Sequence, residues 1–160
     1  MRKSWNRVAR RSATRKPPAV SLVSGDPPSG AGSDPVASDH RFVPHAVFSH
    51  PQVAAFGRTE QELKAAGTAY RAHVQEFGDV AYGWALEDTS GIVKVIVDPE
   101  TRLLLGAHIM GPQASTLIQP LIQAAHFGQR ADDVAKLQYW IHPALSEVIE
   151  NALLGAVSDE

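Results

Sequence analysis

The chain has no cysteine in 160 residues. That excludes a disulfide scaffold and any redox cysteine pair supplied by this chain, but it leaves the compartment open, because cytosolic proteins also lack disulfides. No stretch approaches the roughly 20 apolar residues that cross a bilayer, so a cytoplasmic protein with no membrane partner is expected. No Gly-x-Gly-x-x-Gly follows a strand pattern. The nearest approach, Gly30-Ala31-Gly32, has no strand before it, which excludes the phosphate-cradling turn of a dinucleotide fold. Acids are missing from one segment altogether. Residues 1–16 hold Arg2, Lys3, Arg7, Arg10, Arg11, Arg15 and Lys16, seven of the fifteen basic residues, and no Asp or Glu. From Arg41 onward eight basic side chains face fourteen acidic ones, a net of −6, so the body of the chain is expected to bind no nucleic acid.

What is present divides in two. Residues 1–40 carry Pro17-Pro18, Pro27-Pro28, Gly30, Gly32 and many serines, with no apolar period of 2 or 3.6. They read as a disordered, basic and Pro-Gly-Ser-rich tail. Val8-Ala9-Arg10-Arg11 interrupts any apolar run a secretory signal needs, and the arginine pair lacks the hydrophobic stretch of a twin-arginine signal. The composition is like that of an organelle transit peptide or a nucleic-acid-binding arm. A solvated tail accounts for it as well. Residues 41–157 have the apolar patterning of one globular domain.

In that domain Val47-Phe48 and Val53-Ala54-Ala55-Phe56-Gly57 read as strands around Ser49-His50-Pro51-Gln52. Thr59 is a natural N-cap, followed by Glu60 and Glu62, whose charge suits the positive end of a helix that should stop at Gly67. Tyr70–Val74 alternates as an exposed strand. Residues 91–97 and 102–110 flank Asp98-Pro99-Glu100-Thr101, a turn-forming sequence that predicts a hairpin. Ala114, Leu117, Ile118, Leu121, Ile122 and Ala125 have amphipathic helical spacing, with a break or kink expected at Pro120. Helices are predicted over Ala131–Leu137 and over Ser146–Leu154, the latter closed by Gly155. Together these give an α+β domain with a largely antiparallel sheet and helices packed on one face.

The most informative stretch is Tyr139-Trp140-Ile141-His142-Pro143-Ala144-Leu145-Ser146-Glu147, running on to Glu150-Asn151-Ala152-Leu153-Leu154-Gly155. Here an imidazole stands at the mouth of an apolar helix, with a carboxylate five positions later. Such a pair can act as a general acid/base unit, because the carboxylate orients the ring. From the residues alone, a His-Pro before a helix is commonly structural. His108 reads as a core or interface residue, His126 as a helix-end residue, and His40, His45, His50 and His73 as loop or surface residues. No three of them have metal-ligand spacing, so no metal site is expected.

The His142-Pro143-x-x-x-Glu147 signature closely resembles the C-terminal signature of the FAD-dependent pyridine nucleotide-disulfide oxidoreductases, and its flanks resemble the mycothione reductase branch. The resemblance runs from about Val36 to Ala156. It implies the fold of that family's dimerisation domain, a homodimer, and FAD, NADPH and a low-molecular-weight disulfide in the complete enzyme. It also implies that His142 and Glu147 act across the dimer, that His142-Pro143 faces the partner subunit's flavin, and that Tyr139 and Trp140 lie near the interface. Ala144 departs from the threonine many members have there. Without cysteines or a dinucleotide turn, the isolated chain is expected to bind no cofactor and reduce no disulfide. It is expected to be a domain from a truncated or frameshifted gene, or an excised one, prone to self-association. Two alternatives stand beside this: a subunit donating His142 and Glu147 to a separate full-length flavoenzyme, and a pure protein-interaction module.

Overall fold

A computed structural model describes residues 40–158. The tail expected over residues 1–40 therefore lies, His40 apart, outside the described residues. The first two strands, β1 (His45–Val47) and β2 (Gln52–Gly57), pair antiparallel with Ala46 opposite Ala54. Phe48 falls in the connecting loop, its ring 78% exposed, and not in the strand where its apolar character placed it. The helix α1 (Glu60–Ala65) begins at Thr59, whose Oγ1 accepts from the Glu62 amide at 3.3 Å. In return the Thr59 amide donates to Glu62 Oε2 at 2.7 Å, a capping box that fixes the start of the helix.

Strand β3 (Arg71–Glu76) leads through a 3-10 turn (Phe77–Asp79) into a one-turn helix, α2 (Ala81–Ala85). This helix is too short to show a period in the sequence. The hairpin of β4 (Ile92–Val97) and β5 (Leu104–Gly111) is where the turn residues predicted it. Asp98 Oδ1 accepts from the amides of Glu100 (2.9 Å) and Thr101 (2.8 Å). Arg102 was expected to open the second strand. It instead adopts φ +61°, and the register shifts at Ile96/Val97, so pairing resumes only at Leu104. The five strands form one antiparallel sheet in the order β1-β2-β5-β4-β3.

Val93, Val95 and Val97 alternate along β4 and bury one face of the sheet together with Ala107, Ile109 and Phe56. Three helices pack on that face, α3 (Ala114–Leu117), α4 (Gln119–His126) and α6 (Glu147–Val157), and α5 (Ala131–Leu137) packs against α6. The break between α3 and α4 falls at Ile118, two residues before the proline that has no amide to donate. Leu121, Ile149 and Leu153 are fully buried beneath them. Burying a side chain of that size stabilises the fold by about 1.5–3 kcal/mol relative to leaving it in water. α1 lies on the opposite face, where Lys94 and His108, out of phase with the valines, point toward it.

Gly155 does not end α6, contrary to expectation; the helix continues to Val157. The glycine sits where α6 crosses β3, and a Cβ there would lie 2.3 Å from His73 Nε2. Its missing side chain serves close packing and not termination. His73, expected at the surface, is thus a packing residue. Arg102 Nη1 donates to the Val157 carbonyl at 3.1 Å and Arg71 Nη2 to that of Ser158, so two arginines hold the C-terminal end of the helix.

Candidate functional site

No polar or charged residue is fully buried among the described residues, so any chemistry belongs to the surface and to clefts. The approach to α6 is irregular. α5 ends at Leu137, and the chain runs extended through Gln138, with Tyr139 fully exposed and Ile141 75% exposed. Trp140 is anchored, packed against the core with its Nε1 donating to the Ala135 carbonyl at 3.2 Å. The next anchor is Leu145, buried at the foot of α6. Between these two fixed points stand His142 and Pro143, joined by a cis peptide.

His142 is flanked by two carboxylates. Its Nδ1 lies 3.2 Å from Glu147 Oε2, as the spacing of five suggested, and its Nε2 lies 2.9 Å from Glu150 Oε2. The ring is about half exposed, whereas the two carboxylate side chains keep only 18% and 21% of their surface. Glu147 Oε2 and Glu150 Oε2 are shielded from solvent and have no hydrogen-bond partner among the described residues. The contacts with the imidazole are ion-pair approaches, not hydrogen bonds. Both glutamates belong to the first turn of α6, where negative charge opposes the positive end of the helix dipole. Glu150 did not stand out in the sequence. The signal for it was there, however: a second acid three residues after Glu147 falls on the same helix face. On the other side, Pro143 closes a shallow hollow against α2, with Tyr82 and Trp84 in its wall and Trp84 76% exposed.

A second polar group lies across the sheet. His108 is half-buried beside Lys94, in a groove roofed by α1. Its Nδ1 has no hydrogen-bond partner among the described residues. Burial first, then the neighbouring Lys94 and His45, hold its imidazole below the ordinary range. Lys94 Nζ donates to Glu60 Oε1 at 2.7 Å and the Tyr70 hydroxyl to Glu60 Oε2 at 3.0 Å. These two bonds keep the Glu60 carboxyl below its usual value. His126 closes α4 edge-on to Phe127, with ring centroids 5.5 Å apart, and His45 is a surface residue, exposed on β1. Among the described residues no group of three His, Asp or Glu is arranged to hold a metal ion, and no helix is long and apolar enough to cross a membrane.

Comparison with known proteins places the chain. Residues 43–153 match the pyridine nucleotide-disulphide oxidoreductase dimerisation domain. The chain is 62% identical over 120 residues to mycothione reductase of Mycobacterium tuberculosis, covering 75% of this chain and 26% of that protein. It is 40% identical over 129 residues to mitochondrial dihydrolipoyl dehydrogenase of Caenorhabditis elegans, covering 79% of this chain and 26% of the relative. Its fold superposes on the crystal structure of LpdA from M. tuberculosis with a TM-score of 0.68 at 27% identity, over 76% of this chain and 26% of that one. The chain thus spans about a quarter of the length of the relatives it matches.

Proposed function

This chain belongs to the pyridine nucleotide-disulphide oxidoreductase family, of which it carries the dimerisation domain, and from that premise we propose that it is the homodimer-forming part of a mycothione reductase-like flavoenzyme that works in the cytoplasm. In this reading His142 and Glu147 are an acid/base pair presented to a partner subunit, and His142-Pro143 faces that subunit's flavin. In the assembled enzyme NADPH would supply the electrons and FAD would pass them on toward the disulfide. The residues described here do not fit either group: the sheet is wholly antiparallel, no glycine-rich turn runs from a strand into a long helix, and the chain has no cysteine. In this reading the isolated chain holds neither cofactor and reduces no disulfide.

What this chain contributes is a proton. When a cysteine thiolate of the flavin-bearing part attacks a low-molecular-weight disulfide, the S–S bond breaks and a second thiolate departs. That thiolate leaves more readily if an acid protonates it as it forms. Imidazole titrates near neutrality, so His142 can give the proton in one direction and take it back in the other. Glu147 orients the ring through Nδ1. One observation carries the reading: a half-exposed imidazole stands on a solvent-shielded carboxylate at the start of a helix fixed at its far end by two arginines.

The test mixes this chain with a separately produced flavin- and nicotinamide-binding part and follows NADPH-dependent disulfide reduction. Restored turnover is expected, and His142→Ala should lower it by roughly 10²–10⁴-fold, the usual yield of general acid/base catalysis. Equal turnover with His142→Ala would overturn the acid/base role. It would favour a second reading, supported by the exposed Leu137, Tyr139 and Ile141, in which the chain is a protein-interaction module with the pair unused.

A further inference from the structure

We propose that Trp140 is a positioning residue for His142, the hold that sets the ring against Glu147; the inference rests on the acid/base reading of His142 above. Residues 138–146 cross from α5 to α6 with no helix or strand of their own. Among the described residues, the backbone of residues 138–143 makes no hydrogen bond to another backbone group. A stretch so held opens at little cost unless side chains tie it down. The one hydrogen bond these six residues make is a side chain's, from the Trp140 indole. It falls at the end of α5, where the last carbonyls of a helix have no partner within it. Gln138, extended at φ −101° and ψ 163°, turns the chain away there. The Ala135 carbonyl accepts the indole N–H instead, at 3.2 Å.

Tryptophan suits this place because it joins a large apolar body, here packed on the core, to a donor at its edge. Its neighbours Tyr139 and Ile141 are exposed on either side of it. His142 then returns toward Glu147, with Nδ1 3.2 Å from Oε2. α5 packs in turn against α6, the helix that carries Glu147. Trp140 thus ties the loop bearing the imidazole to the same body as its carboxylate, while Leu145, buried at the foot of α6, holds the other end. A loop fixed at Leu145 alone would swing His142 about that point, and a misplacement of about 1 Å can cost roughly 10²-fold in rate. Trp140 acts through His142 and is not itself a catalytic residue.

Two measurements test this, each on Trp140→Phe, which keeps a ring in the core but has no N–H, and on Trp140→Ala. In the labelled full chain, a nuclear Overhauser contact between the His142 ring and the Glu147 side chain is expected to weaken in Trp140→Phe and to vanish in Trp140→Ala. The contact between His73 and Gly155 should stay, which shows that the fold is intact; if Trp140→Ala loses it, Trp140→Phe alone decides. A His142–Glu147 contact unchanged in the folded variants would overturn the proposal. In the reconstituted reductase, Trp140→Phe should lower kcat by roughly two- to tenfold, as for loss of one hydrogen bond. KM should stay unchanged, and in the His142→Ala background the change should have no further effect. An equal loss in both backgrounds would overturn the proposal as merely structural, and a raised KM at constant kcat would overturn it by making Trp140 a substrate contact. If His142→Ala is itself silent in turnover, the acid/base reading fails, and the Overhauser contact still reports whether Trp140 places the ring.

Discussion

His108 gives the residue scale a measurable handle. Its folded-state value is depressed by burial and by Lys94 and His45, so the unfolded chain takes up a proton near pH 6.5 where the folded chain does not. The contribution to stability is therefore complete above about pH 6.5 and is lost as pH falls from there through the folded value. Urea midpoints at pH 7.5 and 5.5 should show this loss, and His108→Gln should flatten it; an unchanged slope would remove His108 from the account. The depressed Glu60, Asp98 and Asp132 carboxylates add a separate loss near pH 4. Much at this scale was legible. Thr59 with Glu62 is a local pattern, and His142 with Glu147 a motif. The state of His108 was not, because an unpartnered Nδ1 depends on which side of the sheet α1 covers, and that is decided by residues far away in the chain.

At the scale of elements, α6 departs most from its sequence signal. A glycine after a helical run ordinarily marks the C-terminal cap, and that rule failed because Gly155 serves a crossing. Gly155→Ala is expected to lower stability by about 1–2 kcal/mol. Overpacking costs about 1–3 kcal/mol, partly offset by alanine's better helix propensity of up to about 1 kcal/mol. Combining it with His73→Ala should recover most of the loss in urea denaturation; an equal loss in both backgrounds would mean that His73 is not the obstacle. Pro120 was the opposite case, since a missing amide disrupts a helix wherever it falls. The left-handed turn residue Arg102 was illegible because nothing in arginine announces a positive φ.

For the whole molecule, the antiparallel sheet with its helices was readable from period and turn chemistry, while the strand order was not, because β5 enters between β2 and β4 through contacts that no local window contains. The exposed Leu137, Tyr139 and Ile141 predict concentration-dependent association in sedimentation velocity, with Ile141→Glu shifting the boundary toward the monomer. A boundary unchanged at every concentration would exclude that surface as an interface. The crossing of α6 on β3 has one more consequence, and it concerns synthesis. Arg71 and Ser158 are joined across 87 positions, so the chain leaving a ribosome holds the helix-covered face of β3 bare until α6 has emerged. Closing so large a loop makes a late, slow step. Until then that face is exposed to association, and α6, which carries the two glutamates, is also the segment whose arrival ends that interval.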